Sequence, residues 1–287
     1  MGTGGAARMA EFDGGLGRID NADFERIASF ILSATGIKLT AAKKTMVEGR
    51  LYRRVRALGL SSISDYIAAV FDCGDCDDEV INLIDAITTN KTDFFREPAH
   101  FNFLTRVALP ELAGTGHVAR FWSAACSIGA EPYTLAMVLS DFACAEPEWR
   151  FSILASDIST EVLATAARAV FPEEMVEPVP VSMRQRYLLR SSNPANKLVR
   201  MAPEIRSLVR FARINLVEDR YPVERDMDVI FCRNLLIYFD RETQEAVVRQ
   251  LTSHLRPGGY LILGHTDSIT GMVVPLEPLG HSIFRRT

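Results

Sequence analysis

The stretch FWSAACSIGAEPYTLA, residues 121–136, begins like a buried strand and ends like the first turns of a helix. Small residues and Gly129 lie between the two parts, so a ligand can approach the backbone closely there. Pro132 suits the first turn of the helix, and Glu131 puts a carboxylate beside it. The dinucleotide fingerprint G-x-G-x-x-G is absent, which disfavours a nicotinamide or flavin cofactor. Such a turn fits either a structural connector or a loop for a ligand that carries positive charge.

Short apolar runs and helical patterns alternate on both sides of this stretch. Runs rich in apolar residues occur at HVARFWSAAC, WRFSILASD, MDVIFCRNLL and GYLILGHTD, with helical patterns at 131–142, 159–170 and 241–255. This alternation predicts an α/β fold with a Rossmann-like, doubly wound parallel sheet covered on both faces. Residues 173–212 interrupt the rhythm, and their alternation of apolar and basic residues predicts an inserted small antiparallel β-subdomain.

Asp157 ends the second predicted strand, 28 residues after Gly129. An acid at that position can accept hydrogen bonds from both hydroxyl groups of a ribose. It can equally belong to the N-terminal cap of the helix that begins near Ser159.

The first part of the chain has a different pattern. Residues 19–88 show helical periodicity throughout, with Val47, Leu51, Val55 and Leu58 on one stripe. We predict a small N-terminal all-helical domain there, a flexible tail at 1–18, and a ligand-binding domain at 89–287. Asp23 is the expected N-cap of the first helix.

Composition excludes several classes of function. The net charge of the 287 residues is −4, so no overall field favours nucleic acid or an acidic membrane. No apolar run reaches the roughly 18 residues of a membrane span, and the first 15 residues lack the hydrophobic centre that a signal peptide has. Five cysteines fit reduced thiols, and Cys73 and Cys76 lack a second ligand pair for zinc. No two histidines are grouped in the sequence. We therefore expect a cytoplasmic protein with no metal.

Two further runs carry a specific resemblance. TTNKTDFFREPAHF at 88–101 and IFCRNLLIYFD at 230–240, together with the opening stretch, resemble the chemotaxis protein methyltransferases. The resemblance extends in order over residues 20–287. It implies S-adenosylmethionine as cofactor, S-adenosylhomocysteine as product, and glutamate side chains of bacterial chemoreceptors as the methyl acceptors.

The resemblance also implies particular site residues. The expected cofactor-binding set is Asn90, Thr92, Arg96, Glu131, Asp157, Asn215, Leu216, Arg233 and Asn234. Arg96 would lie near the methionine carboxylate and Glu131 near its amino group, with Asp157 on the ribose. Tyr238 would lie near the transferred methyl, so Tyr238 and Arg96 are the expected catalytic residues. Ala130 departs from relatives that carry glutamate there, but it leaves Glu131 in place.

The expected partner is the cytoplasmic helical region of methyl-accepting chemotaxis receptors, bound by a monomer without membrane insertion. Its expected contacts are Arg50, Arg53, Arg54 and Arg56 on one basic helix, which could also be no more than a solvated face. Some relatives grip a receptor tail peptide with the inserted ribbon through a glycine-containing turn. Here Ser191, Ser192 and Asn193 replace those glycines, which favours an enzyme independent of such a tether.

Two alternatives remain from the residues alone. One is a methyltransferase that acts on another protein, a nucleic acid or a small molecule. The other is a catalytically silent scaffold that binds the cofactor and a partner.

Overall fold

The computed structural model describes residues 18–72, 77–193 and 195–287. Its contacts divide the chain into two compact units, with the boundary between Thr88 and Thr89. The flexible tail that the sequence predicts, apart from its last residue, and the Cys73 and Cys76 pair lie outside the described residues.

The first unit is helical. Its helices are α1 (Asn21–Thr35), α2 (Lys44–Ala57), α3 (Ile63–Phe71) and α4 (Asp77–Ile87), and a short 3₁₀ turn, Ala41–Lys43, precedes α2. Val47, Leu51 and Val55 are buried, as the stripe predicts, whereas Leu58 is exposed beyond the end of α2. The N-cap of α1 is Asp20, not Asp23, because the Asp20 side chain accepts a hydrogen bond from the Asp23 backbone N–H.

The second unit contains two sheets. Its strands are β1 (Ala119–Ala124), β2 (Phe151–Asp157), β3 (Val170–Pro172), β4 (Leu188–Arg190), β5 (Leu198–Met201), β6 (Val209–Arg213), β7 (Met227–Cys232), β8 (Leu255–Leu263), β9 (Leu276–Gly280) and β10 (Ile283–Arg286). Its helices are α5 (Pro98–Phe103), α6 (Leu109–Ala113), α7 (Ala130–Ala145), α8 (Thr160–Arg168), α9 (Val181–Tyr187), α10 (Pro203–Arg206) and α11 (Arg241–His254). A π-helical turn, Leu104–Ala108, joins α5 to α6.

The large sheet has the strand order β6-β2-β1-β7-β8-β10-β9. Strands β6, β2, β1, β7 and β8 run parallel, and β10 pairs with β8 antiparallel. This confirms the doubly wound α/β fold. The strand order reverses at β1, so the carboxyl ends of β1, β2 and β7 meet at the topological switch point, where such sheets bind ligands.

The inserted antiparallel subdomain is present, but its limits differ from 173–212. Its sheet has the order β3-β5-β4 and begins at Val170. Residues Val209–Arg213, predicted to lie in the ribbon, instead pair in parallel with β2 at the edge of the large sheet. Alternating exposure is typical of an edge strand in either sheet, so the pattern alone could not assign this strand.

The core of the second unit lies around the large sheet. Every residue of β7 is buried, as expected for a strand covered on both faces. Phe94 and Phe101 are buried in the same cluster, which supports a packing role for these rings. Within the described residues, no helix combines the length and apolarity needed to cross a bilayer.

Candidate functional site

The turn between β1 and α7 is sharp and conformationally strained. Gly129 has φ +96°, and a Cβ built on it would lie 2.9 Å from the Cβ of Ala166. Only glycine therefore fits this turn without a shift of α8. Ala125 and Ser127 also have positive φ, at 61° and 52°. The turn places several backbone N–H groups at the switch point, and the sequence had predicted the close approach but not the strain.

Asp157 lies at the end of β2 directly beside this turn. Its carboxylate accepts hydrogen bonds from the backbone N–H of Ser127 at 2.8 Å and of Ser159 at 3.0 Å. The side chain is buried, and each oxygen accepts one of these two bonds. A carboxylate offers about four acceptor positions in all, and a hydroxyl group is a donor from which it can accept. Asp157 thus caps local backbone, and its buried carboxylate lies at the switch point, where the sequence predicts a ribose contact.

Asn215 and Leu216 follow β6, the strand next to β2. The Ile214 N–H donates to the Asp157 backbone carbonyl at 3.0 Å, which holds this segment against the end of β2. Leu216 is buried, and its carbonyl accepts a hydrogen bond from the Tyr221 hydroxyl at 2.6 Å. The structure therefore brings the predicted adenine-flanking residues to the same sheet edge as Asp157.

Glu131, in the first turn of α7, is buried and contacts one hydroxyl group and one guanidinium group. Its Oε1 accepts a hydrogen bond from the Ser123 hydroxyl at 2.6 Å, and its Oε2 lies 3.0 Å from Nη1 of Arg233. A buried carboxylate is costly without such partners, and Ser123 and Arg233 supply them here. A further acceptor position on either oxygen suits a ligand ammonium group.

Arg233, just after β7, is held between two acids. Besides Glu131, its Nη2 lies 3.2 Å from Oε2 of Glu97 and 2.5 Å from the Arg96 carbonyl oxygen. Its side chain is 3% exposed, and its Nε has no hydrogen-bond partner among the described residues. A buried donor without a partner is costly. Arg233 thus retains one N–H for a ligand acceptor such as a carboxylate.

The run from Asn90 to Glu97 packs against the turn mainly through its backbone. The Asn90 carbonyl accepts a hydrogen bond from the Ser127 hydroxyl at 2.9 Å, and the Phe95 N–H donates to the Thr134 hydroxyl at 3.2 Å. Thr92 and Arg96 are half-buried. The Arg96 guanidinium donates to the Lys91 carbonyl at 3.2 Å, so it contacts its own segment rather than Glu131.

Asn234 occupies a second tight junction. Its φ is +57°, and its backbone N–H donates to Oδ2 of Asp267 at 2.6 Å. A Cβ on Gly264 would lie 2.5 Å from Nδ2 of the Asn234 side chain. The absence of a side chain at Gly264 therefore permits the close approach of Asn234. Burial raises the pKa of Asp267. Tyr238 is half-buried at the end of a 3₁₀ turn, Leu236–Tyr238, that follows the same strand.

Backbone strain is concentrated in these segments. Of nine non-glycine residues with positive φ among those described, five lie in the runs above: Phe95, Glu97, Ala125, Ser127 and Asn234. Such conformations cost free energy and persist where the surrounding structure fixes them, commonly at ligand sites. The strain marks the same segments as the side-chain contacts do.

Three acidic or basic residues of the site have roles that sequence reasoning missed. Glu97 contacts Arg233 and Asn234, and Asp267 holds the Asn234 backbone. Burial favours a raised pKa at Glu97, but Arg233 and Asn234 outweigh it and lower the pKa. The third is His100, which lies in contact with His265, although the two are far apart in sequence. Glu97 directly follows Arg96 in the family-like run, and this position next to a predicted site residue was the one sequence feature that could have identified Glu97.

The two cysteines near the strand ends are buried. Burial raises the pKa of the Cys126 thiol and of the Cys232 thiol, and nearby carboxylates raise both further. Neither thiol is therefore poised as a nucleophile.

The basic helix, α2, does not present four equivalent arginines. Arg54 forms two hydrogen bonds to Glu79, at 2.9 and 2.6 Å, and is half-buried. Arg50 donates to the carbonyls of Ile87 and Thr88. Both side chains therefore contribute to the fold of the helical unit, in contrast to the expected open face. Arg53 and Arg56 are exposed.

These features define a class of protein. Two buried carboxylates and a partly unsatisfied arginine at the switch point fit the ribose, ammonium and carboxylate of S-adenosylmethionine. The turn lacks the glycine pattern of a dinucleotide site. The second unit accordingly offers a site whose charged groups suit S-adenosylmethionine.

Comparison with known proteins gives the family. The protein-family model described as "CheR methyltransferase, SAM binding domain" matches residues 90–282. A second family model, "CheR methyltransferase, all-alpha domain", matches residues 22–88. The chain belongs to the CheR family of chemotaxis methyltransferases.

Curated relatives agree with this assignment. The chain is 38% identical to a chemotaxis protein methyltransferase of Salmonella typhimurium, over 93% of this chain and 90% of the relative. It is 38% identical to the one of Escherichia coli, over 93% and 91%. It is 35% identical to chemotaxis protein methyltransferase 2 of Pseudomonas aeruginosa, over 91% and 92%.

Proposed function

We propose that this protein transfers the methyl group of S-adenosylmethionine to glutamate side chains of methyl-accepting chemotaxis receptors, forming methyl esters. The observation that carries the proposal is the convergence of the two family-like runs on one site. The Arg96 carbonyl and Glu97 from the first run both contact Arg233 from the second. The enzyme is proposed to act in the cytoplasm as a monomer.

Each site residue has a proposed role in holding the cofactor. Asp157 accepts the ribose hydroxyls, Glu131 accepts the ammonium group, and Asn215 and Leu216 flank the adenine. Arg233 offers its unpaired Nε–H to the methionine carboxylate. Asn90 and Thr92 are proposed to line the cofactor site, and Asn234 is proposed to close its methionine side beside Arg233. Tyr238 is proposed to lie near the transferred methyl group.

Arg96 differs from its expected role in one respect. Its guanidinium donates to the Lys91 carbonyl, whereas Arg233 is clamped beside Glu131. Arg96 could reach a ligand carboxylate only by leaving that contact. Because its side chain is half-buried and hydrogen-bonded to one carbonyl, such a change costs little. Arg96 and Arg233 are therefore both proposed to bind the methionine carboxylate.

The proposed chemistry requires little acid–base help from the protein. When bound, the cofactor supplies a methyl group already activated by its sulfonium. A receptor glutamate, with an unperturbed pKa of about 4.3, is an anion at neutral pH. With the cofactor bound, this oxygen would be the methyl acceptor and the neutral thioether S-adenosylhomocysteine would be the leaving group, so the transfer would neutralise both charges. The residues of this chain hold the reactants in line and keep water away.

The proposed receptor contact is the exposed part of α2. Arg53 and Arg56 offer positive charge to an acidic receptor helix, and such charges accelerate association more than they add affinity. Arg50 and Arg54 support the helix that displays them.

One experiment separates this function from its rivals. The purified protein is incubated with S-adenosylmethionine and a soluble receptor cytoplasmic fragment, and the peptides are sequenced by mass spectrometry. The proposal predicts methyl esters on receptor glutamates. Cofactor binding without any methylated peptide would favour the scaffold, and methylation of other residues or of other molecules would favour a different substrate.

A further inference from the structure

Glu97, His100 and His265 form a compact cluster beside the cofactor site. Their ligand atoms all lie within 4.8 Å of one another. Oε2 of Glu97 is 3.5 Å from Nδ1 of His100 and 4.0 Å from Nε2 of His265. The two imidazole rings meet edge to face, with centroids 5.1 Å apart.

The orientation of His100 is fixed by a backbone carbonyl. Its Nε2 lies 2.8 Å from the carbonyl oxygen of His281, which can only accept, so Nε2 carries the proton. Nδ1 of the neutral ring is then an acceptor. It is fully buried and has no hydrogen-bond partner in the described structure. This lone pair faces the Glu97 carboxylate, another acceptor, so the space between them suits a cation.

The same contacts match the usual surroundings of a metal ligand. Ligating histidines commonly donate their second N–H to a backbone carbonyl, and ligating carboxylates are themselves hydrogen-bonded. Glu97 accepts from Nδ2 of Asn234 at 3.2 Å and contacts Arg233 at 3.2 Å. Nδ1 of His100, which is buried and has no hydrogen-bond partner among the described residues, is available as a ligand.

We propose that Glu97, His100 and His265 bind a divalent transition-metal ion, with Zn²⁺ the best match to two imidazoles and one carboxylate. In a tetrahedral zinc site, ligand atoms lie about 3.4 Å apart. The Glu97–His100 separation already agrees with that value. His265, whose side chain is 50% exposed, needs only a small swing and leaves the fourth position open to water.

The local charge also favours a dication. Glu97 and Glu131 carry two negative charges and Arg233 carries one positive charge, so the buried group is net negative by one. If a metal ion binds the Glu97 carboxylate, Arg233 still has its ion pair with Glu131. The proposed metal site does not rest on the proposed receptor substrate, because its three ligands are identified from their own contacts.

The test is a titration of the full chain with Zn²⁺ in which the heat of binding is measured by isothermal titration calorimetry. It uses a Cys73→Ser, Cys76→Ser parent so that thiolates do not provide a competing site. We expect one bound equivalent in the parent. His265→Ala should weaken binding at least about tenfold, because loss of even an outer-shell partner of a metal ligand costs 10–100-fold. His117→Ala, which removes an exposed histidine outside the cluster, should bind like the parent.

Cobalt spectroscopy gives a second readout. Co²⁺ in a low-coordinate nitrogen and oxygen site should give visible d–d bands in the parent and not in His265→Ala. Because His265 is exposed, its substitution should leave the fold intact, and circular dichroism checks this. Equal zinc affinity in His265→Ala and the parent, or no bound equivalent in the parent, would overturn the proposal.

Discussion

At the scale of single residues, Asp157 and Arg233 show how the site is fixed before a ligand arrives. Asp157 holds the strained turn through Ser127 and the start of α8 through Ser159. Arg233 is clamped between Glu131 and Glu97. Preorganised groups of this kind avoid reorganisation when the ligand binds. A substitution at Asp157 therefore affects both the turn and the ligand, and the variant must separate the two.

Asp157→Asn should weaken binding of S-adenosylhomocysteine by about 1.5–3 kcal/mol, the range for hydrogen bonds to a charged group. Asparagine keeps one side-chain oxygen for the Ser159 N–H, so the variant should fold. Isothermal titration calorimetry measures the affinity, and the thermal midpoint checks the fold. Unchanged affinity in a folded variant would remove Asp157 from the site.

At the scale of elements, α2 combines a structural and an exposed role. Arg54 and Glu79 form a bidentate pair in which the side chains are 27% and 14% exposed, and the Tyr66 hydroxyl also donates to Glu79. Although burial favours a higher pKa, Arg54 and Tyr66 together lower the pKa of Glu79. The pair therefore links α2 to α4 within the helical unit.

Arg54→Ala should destabilise the protein by on the order of 1.5–3 kcal/mol at pH 7, whereas exposed Arg53→Ala should change stability by less than about 0.5 kcal/mol. Urea denaturation followed by circular dichroism compares the two. Equal midpoints for the two variants would contradict the structural role of Arg54.

The stability that the Arg54–Glu79 ion pair contributes should decrease as the pH falls. A carboxylate with a depressed folded-state pKa stabilises the fold above its unfolded pKa, and that stability is lost as pH falls through the folded value. The difference between wild type and Arg54→Ala should therefore be full at pH 7 and shrink as Glu79 is protonated in acid. A difference that persists unchanged to pH 3 would argue against the ion pair as its source.

The sequence was informative wherever periodicity or a local motif defined an element. It predicted the strands around Phe121 and Ile230 and the acid at Asp157. It misassigned Val209–Arg213, because an edge strand alternates in the same way in either sheet. It also missed the His100 and His265 contact and the Glu97–Arg233 pair, because only the tertiary fold brings those residues together.

The inserted sheet is the part of the protein to which a receptor tail peptide could be added as an extra strand. Its outer strands β3 and β4 each pair only with β5 in the described sheet, so each has an open edge. In the turn before β5, the Ser191 hydroxyl accepts from the Asn193 N–H and the Asn193 side chain accepts from the Ala195 N–H. The side chains of Ser191 and Asn193 thus supply the contacts of this turn.

We expect an aromatic and acidic receptor tail peptide to bind this subdomain more weakly than low-micromolar affinity. Side chains in place of the turn glycines restrict how a peptide strand can be added at the edge. Fluorescence anisotropy with a labelled peptide measures the affinity, with a scrambled peptide as control. Specific low-micromolar binding would contradict this expectation and indicate a tethered enzyme.

At the scale of the whole molecule, the net charge is −4, so the proposed attraction to an acidic receptor helix must come from local basic surface. Arg53→Glu with Arg56→Glu should slow receptor methylation markedly and leave S-adenosylhomocysteine affinity unchanged, because both side chains lie on the helical unit and outside the cofactor-binding unit. Initial rates at low and high salt measure the effect, which should diminish as salt screens the wild type. Equal rates for the variant and wild type would remove α2 from the receptor contact.

The central claim is methyl transfer to receptor glutamates. The most direct measurement incubates the protein with methyl-labelled S-adenosylmethionine and receptor-enriched membranes, then treats the labelled receptor band with alkali. The account predicts label on the receptor that alkali releases as methanol, as methyl esters do, with a large loss of label for Asp157→Asn at limiting cofactor. Label that resists alkali, or no label on the receptor while the protein still binds S-adenosylhomocysteine, would contradict it.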